Sequence, residues 1–366
     1  METFQKGEKR VMETNLKKLM SIVGAVCFSM TQLYAAYDDT SSSSNNSQSN
    51  MTMAVPPSPT CGESGANVFI SADYTLWTAR ESGLAVAISN YYPGGSATPD
   101  QGSVFYPKFK LRSGFKVDLG VYLPHDNWDL QAEYTWFNNN SNSMDSADFT
   151  AGNAISTWWT DALVGPTTIT YAASKWDNWF NRVDVTMGRS FFAGHYLAVR
   201  PFMGLLGAWD SQELNIDYRT SISQVTANKI RNTQKFWGVG VYGGMDSTFT
   251  FMSDSCNQWS LFLDAGTALP WSKFTTHQHT YNSSTATVQW FKNIFYTVAP
   301  MVEAALGLRW ETWWADGAWK FMLQAAWENQ VWFNHNNFIV AGSDAVGAGN
   351  GAYTMQGLTV KAVIAF

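Results

Sequence analysis

The sequence predicts an all-β chain whose antiparallel strands close into a transmembrane barrel with an even number of strands. Three observations predict this fold: apolar and polar residues alternate with period two along about ten segments, short and long connections alternate between those segments, and Trp and Tyr crowd the segment ends. The composition agrees, because only 14% of the 366 residues are charged while 15% are aromatic, which is unusual for a water-soluble domain.

The N-terminal region has the order of residues that is typical of a secretory signal peptide. Basic residues precede the apolar run Leu19 to Met30, and the small residues Ala35 and Ala36 follow it. A membrane anchor over the same apolar run is the alternative. The signal-peptide interpretation divides the chain into three parts: residues 1–36 as signal peptide, 37–65 as a flexible leader rich in Ser, Asn and Pro, and 66–366 as the barrel.

The predicted strands follow one another at short intervals, and each carries its charges on one face only. In the segment 107–123, for example, Phe115 and Val117 alternate with Lys116 and Asp118. The ten segments with this pattern are 68–78, 107–123, 128–136, 179–187, 197–212, 236–249, 259–269, 294–311, 319–331 and the last strand, which ends at Phe366. Further hairpins, at Thr167 to Ala172 and at Ala286 to Trp290, would raise the number of strands to as many as 16.

The lengths of the connections indicate whether water or lipid surrounds the strands. Alternation alone does not, because it also fits a water-soluble sandwich, which stays the alternative fold. Tight turns are predicted at 124–127, 193–195, 253–257 and 315–317, and long connections at 80–105, 138–175, 213–232, 270–292 and 334–354. Short turns on one side and long loops on the other are typical of an outer-membrane barrel. The Trp residues expected in its interfacial girdles are Trp77, Trp128, Trp136, Trp179, Trp209, Trp259, Trp271, Trp310, Trp319 and Trp332.

The chain ends on a strand whose last residue is the aromatic Phe366. Such a strand is similar to the signal by which the outer-membrane assembly machinery recognises its clients. We therefore expect this machinery and the outer-membrane lipid as partners, and no nucleic acid. A sheet in lipid cannot leave its edges unpaired, so the first and last strands must meet, which requires an even number of strands.

Several ordered blocks carry a family resemblance from about Val68 to Phe366. They are Phe69, Tyr74 and Trp77 with Glu81-x-Gly83-Leu84-Ala85, then Gly114 to Gly120, Trp128-Asp129-Leu130, Tyr134-Thr135-Trp136, Arg200-Pro201-x-x-Gly204-Leu205, and Trp327 to Trp332. The chain resembles the Legionella-type major outer-membrane protein family, and chlamydial major outer-membrane proteins are similar in kind. Leu206 stands where this resemblance leads us to expect an arginine. The resemblance implies a pore-forming surface protein of the bacterial outer membrane, with no enzymatic activity and no cofactor.

The polar face of the strands supplies the candidate pore-lining residues, since charges this dense are stable only when they face water or one another. The candidates are Lys108, Lys110, Arg112, Lys116, Asp118, Glu133, Arg182, Asp184, Arg200, Asp264, Glu303, Arg309 and Glu328. The first four form a candidate basic ladder along one strand. The expected function is passive diffusion of ions and small hydrophilic solutes.

Two other functions fit the same sequence. A narrow barrel filled by salt-bridged side chains would be a structural or adhesive surface protein, with loops 80–105 and 138–175 meeting other molecules. An outer-membrane hydrolase would need a histidine at the outer rim, where His277, His279 and His335 are expected in loops; His125 and His195 are expected in the turns at the other end. No catalytic or metal-binding residue is assigned.

Cys61 and Cys256 are the two cysteines that remain after removal of the signal peptide. Both are expected on the periplasmic side. They are candidates for a disulfide within the chain, or for cross-links between molecules in a homo-oligomer, and free thiols are the alternative.

Overall fold

The computed structural model describes most of the chain beyond residue 67. The described residues are 68–92, 101–123, 128–146, 154–157, 159, 169–193, 196–220, 226–254, 256–282, 287–315, 318–341, 346–349 and 351–366. The predicted signal peptide and leader, Cys61, His125 and His195 lie outside these residues and stay predictions.

The described residues form strands joined by turns and irregular segments. The strands are β1 (Val68–Glu81), β2 (Ala87–Tyr92), β3 (Gln101–Phe105), β4 (Leu111–Tyr122), β5 (Trp128–Ser146), β6 (Ala154–Thr157), β7 (Ile169–Arg189), β8 (Phe191–Phe192), β9 (Leu197–Thr220), β10 (Thr226–Asp254), β11 (Asn257–Asn282), β12 (Thr287–Val298), β13 (Met301–Trp314), β14 (Trp319–Trp332), β15 (Ile339–Ala341), β16 (Val346–Ala348) and β17 (Tyr353–Ala365). None of the described residues belongs to a helix that is long and apolar enough to cross a membrane.

Ten of these strands close into an antiparallel barrel. Their order around the wall is β1, β4, β5, β7, β9, β10, β11, β13, β14 and β17, and β17 pairs back with β1 over thirteen residue pairs from Phe69 with Ala365 to Glu81 with Tyr353. Closure leaves the wall without an open edge in the membrane, as lipid requires. The predicted antiparallel barrel with an even number of strands is therefore confirmed.

The alternation of side chains separates a lipid face from a lumen face. On β1, Ile70 and Tyr74 are about half exposed on the outside, whereas Ser71, Asp73 and Thr75 are buried inside the barrel. The other barrel strands repeat this pattern, so one face of the wall is apolar towards the membrane and the opposite face carries the charges. Both ends of the barrel chain and the short turns lie at the same end, which is the periplasmic end in barrels of this type.

The wall is much taller on one side than on the other. β1, β4, β13, β14 and β17 have 12 to 14 residues each, whereas β5, β7, β9, β10 and β11 have 19 to 29. We call the end of the barrel with the short turns the lower end. The upper part of β11 pairs with β12, and only its lower part pairs with β13. We call the upper parts of β5, β7, β9, β10 and β11, together with β12, the tall wall.

Two predicted long loops are wrong in the tall wall. Residues 213–232 and 270–292 were expected to be loops, yet most of their length belongs to β9, β10, β11 and β12, and His277 and His279 lie on β11. The physical reason differs along the wall. Residues 226–235 and 272–280 are mostly polar on both faces, so no apolar alternation marks a strand. Residues 213–218 do alternate, but their apolar side chains Leu214, Ile216 and Tyr218 face inward, the reverse of a lipid-facing strand.

Shorter elements lie across the inner side of the tall wall. β2 pairs with β3 and β6 in a small sheet, and β15 pairs with β16. The segments beside them contribute Leu84, Val86, Trp159 and Phe338 to the apolar cluster inside the barrel. These elements occupy part of the connections that were predicted as loops 80–105, 138–175 and 334–354.

Candidate functional site: the barrel lumen

The half of the lumen nearer the short turns is filled by paired charges. Lys116 Nζ lies 2.7 Å from Glu328 Oε1 and 3.6 Å from Glu133 Oε1. Lys361 forms an ion pair with Asp118, which also accepts a hydrogen bond from the hydroxyl of Ser71. These contacts connect β4 with β5, β14 and β17 across the interior.

Arg182 lies at the centre of a second group and is only 2% exposed. Its guanidinium donates to Glu303 at 2.5 and 3.0 Å and to Asp184 at 2.9 Å, and its Cζ lies 4.9 Å from the centroid of the Tyr242 ring. A bidentate contact of this kind fixes the geometry of both partners. Arg182 therefore joins β7 to β10 and β13 through the lumen.

Arg200 and Lys320 complete the charged half. Arg200 donates to Asp129 and, at 2.6 Å, to Asp246, while Lys320 lies 2.5 Å from Glu311. Among the described residues, the charged or titratable lumen-facing side chains of this half are six basic and ten acidic ones, an excess of four acidic side chains. They are Lys116, Arg182, Arg200, Arg309, Lys320 and Lys361, with Asp73, Asp118, Asp129, Glu133, Asp184, Asp246, Asp264, Glu303, Glu311 and Glu328.

A cavity of about 650 Å³ remains between these charges. It reaches the end of the barrel with the short turns, where Phe192, Tyr196 and Trp313 line it. Asp264 and Arg309 also line it, and Arg309 donates to Thr248 at 3.0 Å. Within the described residues, no group of three or more His, Cys, Asp or Glu side chains is arranged to hold a metal ion.

The other half of the lumen contains a layer of buried aromatic side chains, which we call the aromatic layer. Its eight members are each at most 2% exposed and come from seven of the ten barrel strands: Trp77, Phe137, Trp176, Phe180, Phe236, Phe274, Trp332 and Tyr353. Ring centroids of Phe180 and Trp332 lie 5.7 Å apart, and those of Phe236 and Trp332 lie 5.9 Å apart. All eight belong to one contiguous apolar cluster.

His335 is fully buried above this layer, in the segment after β14. Its Nδ1 lies 3.5 Å from Glu81 Oε2, its Nε2 lies 3.8 Å from Asp210 Oδ1, and the Gln212 amide donates to both carboxylates. Burial opposes the charged form of the imidazole, but the carboxylates of Asp210 and Glu81 outweigh it and raise the pKa of His335. In its charged form, His335 holds the segment after β14 onto the wall.

Further hydrogen bonds tie the covering segments to the wall. Asn336 donates to the carbonyl of Ser82 at 2.6 Å, and Gln234 donates to the carbonyl of His335 at 2.8 Å. Trp159 Nε1 donates to the carbonyl of Ala85 at 2.6 Å. We call these segments, which contain Ser82, Ala85, Trp159, His335 and Asn336, the cover. The hydrogen bonds make the cover an integral part of the packed interior.

Ten of the thirteen candidate residues face the lumen together: Lys116, Asp118, Glu133, Arg182, Asp184, Arg200, Asp264, Glu303, Arg309 and Glu328. The basic ladder is wrong, because β4 begins only at Leu111. Lys108 and Lys110 precede this strand and are exposed, and Arg112 donates to the carbonyl of Asn140 at 2.6 Å. Lys116 alone of these four has its charge among the lumen ion pairs.

The aromatic layer was missed at the level of sequence. Trp77 and Trp332 were expected in the lipid girdles, yet both point inward. Their position in the alternation gives the correct face: Trp77 shares the parity of Asp73, and Trp332 that of Glu328. Leu206 also faces the lumen and belongs to the same apolar cluster, and the register places it directly opposite Asp184 on β7.

Cys256 lies between β10 and β11 at the end with the short turns and is disulfide-bonded. Because Cys61 is outside the described residues, the pairing of these two cysteines stays a prediction.

The closed wall, the apolar outer face and the polar lumen together define a transmembrane β-barrel of the bacterial outer membrane. The chain matches the family of the Legionella pneumophila major outer membrane protein precursor over residues 77–366 and belongs to that family. The predicted family and localisation are thus confirmed. A search of curated protein sequences finds no match.

Two solved structures with a similar arrangement are distant in sequence from this chain. The outer membrane protease OmpT from Escherichia coli has 10% identity and a TM-score of 0.43, over 82% of this chain and 96% of that one. A major outer membrane protein from Thermus thermophilus has 11% identity and a TM-score of 0.30, over 82% and 99%. At these values the matches carry no argument about function.

Proposed function

We propose that the protein is a structural surface barrel whose lumen is closed to solutes and whose tall wall is displayed outside the cell. The observation that supports this most directly is the aromatic layer, in which side chains from seven barrel strands fill one level of the lumen. Since these side chains are carried by the wall itself, moving a loop would not open a path. Ten strands also enclose a narrow interior, close to the size that side chains alone can fill.

The tall wall is the part that other molecules would meet. On β10, Trp237 faces outward and lies eleven residue steps from Thr226 at the top, which corresponds to about 37 Å of strand. A wall of this height suits contact with other surfaces, with a second copy of the chain, or with outer-membrane lipid. We also propose that the assembly machinery recognises β17 and the terminal Phe366.

A pore for ions and small hydrophilic solutes is the second candidate function. The cavity of about 650 Å³ and its lining of charged side chains favour it. The excess of acidic over basic side chains would then favour cations. For solutes to pass, the aromatic layer would have to separate, and the hydrogen bonds that tie down the cover would have to break.

We propose no enzymatic activity. His335 is the described histidine that lies nearest to carboxylates, but it is fully buried. His277 and His279 lie on the outward face of β11, apart from the lumen charges. No cofactor is part of the proposal.

A swelling assay separates the two candidates. Liposomes containing the refolded protein are diluted into isotonic solutions of arabinose or of a larger sugar, and light scattering is followed. A closed barrel gives the rate of protein-free liposomes with both sugars, with heat-modifiable gel migration as the control for folding. Swelling that is faster with the smaller sugar would support the pore and reject the closed lumen.

A further inference from the structure

Charge is distributed unevenly around the tall wall. Between residues 226 and 245, and again between 265 and 302, the sequence contains no Asp or Glu. The same two stretches contain basic residues on the outward face of β10, β11 and β12: Lys229, Arg231, Lys235, Lys273, His277, His279 and Lys292. We call this set the basic face. On the neighbouring β9, by contrast, the outward face carries Glu213 and Asp217.

The strand register brings the central members of the basic face together. Lys292 on β12 is directly opposite His277 on β11, and Lys273 is opposite Trp237 on one side and Tyr296 on the other. Lys235 is opposite Thr275, one outward position from both Lys273 and His277. The Lys273 ammonium lies 5.7 Å from the centroid of the Tyr296 ring.

The basic face lies directly above the membrane. Below Trp237 on β10, Val239 and Val241 are exposed on the outside by 53% and 62%, as expected for lipid-facing residues. From Val239 to Phe249 the strand runs about 33 Å, or about 25 Å along the axis of a barrel tilted by about 40°, which equals the height of the usual apolar band. Trp237, Trp271 and Tyr296 form the aromatic row at its upper boundary. Lys235 is one outward position, about 7 Å of strand, above that row.

The two stretches that carry the basic face supply no acidic side chain, and at the edge of the face Lys229 is opposite Asp217 of β9. Burial and the positive charges of Lys292, His279 and Lys235 lower the pKa of His277, which shows that the surroundings are electropositive. Arg231, at the edge, pairs with Glu213 of β9 at 2.8 Å. Within the part of the chain that the structure describes, Lys273 and Lys292 form no ion pair. Like charges on adjacent strands repel one another, so an anion here would stabilise the wall.

We propose that the basic face binds the phosphate groups of a phosphorylated glycolipid in the outer leaflet of the outer membrane. Ammonium groups donate charge-assisted hydrogen bonds to phosphate oxygens, and the aromatic row below them suits the glycolipid boundary. A lipid fits better than a free anion, because its acyl chains would continue along Val239, Val241 and Leu269 on the same face. The site does not depend on whether the lumen is open or closed.

The experiment measures binding of diphosphoryl lipid A to the refolded full chain in detergent micelles. The variant K235Q/K273Q/K292Q removes three charges from the basic face and is expected to weaken binding by at least about tenfold. The control variant K108Q/K110Q/K175Q removes three charges from exposed lysines elsewhere at the same end of the barrel and is expected to stay within about twofold of the wild type. Replacement of the same three face lysines by arginine should retain binding, because each positive charge is kept.

Three results would overturn the proposal. One is an equal loss of binding in both triple variants, which would indicate only non-specific attraction by net charge. Another is equal binding of lipid A from which both phosphates have been removed. The third is displacement of the lipid by inorganic phosphate at an equimolar concentration, which would assign the site to a free anion. Heat-modifiable gel migration reports folding of each variant, and the single variants K273Q and K292Q, each expected to weaken binding about threefold, serve if the triple variant does not fold.

Discussion

The two halves of the lumen are filled by different chemistry. The half near the short turns holds ion pairs around a cavity, with Arg182 and Lys116 each contacting two carboxylates. The other half holds the aromatic layer, where Phe180 contacts the rings of Trp332 and Tyr353.

This difference assigns separate roles to the two halves. Buried ion pairs cost desolvation energy and contribute little net stability, but removing one partner is expensive because the other charge is left unpaired. Packed aromatic rings exclude water and gain stability from burial. The charged half therefore fixes which strands face one another across the barrel, and we propose that the aromatic half closes it.

The largest effect is expected from removing the central cation of the charged half. Arg182→Ala leaves Glu303 and Asp184 without their shared partner and should lower the free energy of unfolding by about 3–5 kcal/mol. Urea unfolding of the refolded barrel in micelles measures this. Arg182→Lys keeps the charge and should lose clearly less; equal losses in the two variants would show that the ion pairs are not the cause.

A somewhat smaller effect is expected in the aromatic layer. Trp332→Ala opens a cavity between Phe180 and Phe236 and should cost about 3 kcal/mol, at the lower end for a buried tryptophan. Trp327 is the matched control on the same strand, since it is 58% exposed on the lipid face. In the same unfolding assay, Trp327→Ala should be the milder variant. The reverse order would contradict the inward orientation of Trp332.

A pH-dependent effect is expected where the covering segment meets the wall. The pKa of His335 is raised in the folded state, so its charge contributes stability that is complete below the unfolded pKa of about 6.5 and is lost as the pH rises through the folded value. Hydrogen exchange of residues 333–338 should therefore become faster above neutral pH. His335→Gln should remove this dependence and cost about 1–2 kcal/mol. If the exchange rate of these residues in the wild type, corrected for the intrinsic rate, does not change with pH, the charge of His335 does not hold this segment to the wall.

The smallest effect is expected outside the lumen. Arg231 pairs with Glu213 on the surface of the tall wall, where both side chains are partly exposed. Arg231→Gln should change the free energy of unfolding by no more than about 0.5–1 kcal/mol. A loss as large as that of Arg182→Ala would mean that burial does not distinguish the two arginines.

Sequence patterns predicted the membrane-spanning part of the fold well, because lipid on one face and charge on the other enforce period two. The turn between β10 and β11 illustrates this: β10 ends at Asp254 and β11 begins at Asn257, inside the predicted turn 253–257. The tall wall was not predicted for the opposite reason. In a stretch such as residues 226–235, water on one side and a polar interior on the other leave no apolar alternation.

The sequence predicted most residues of the candidate site, but not how their side chains pair and pack inside the lumen. Alternation placed Lys116, Arg182 and Arg200 on the polar face, but it could not show that each would be paired across the lumen, since those contacts join residues 46 to 212 positions apart. The sequence analysis also assigned the tryptophans to the girdles because of their residue type and their place near strand ends, without regard to the face of the strand. The face that Trp332 occupies follows from its position on β14, and the closure of the lumen follows only from three-dimensional packing.

Single-channel recording in a planar bilayer tests the central claim most directly. The refolded wild-type protein is added to the bilayer in 1 M KCl, and Trp332→Ala is recorded beside it under the same conditions. A closed lumen predicts no stepwise conductance from the wild type, although heat-modifiable gel migration shows that the barrel is folded. Regular, uniform conductance steps from the folded wild type would contradict the closed lumen and establish the pore.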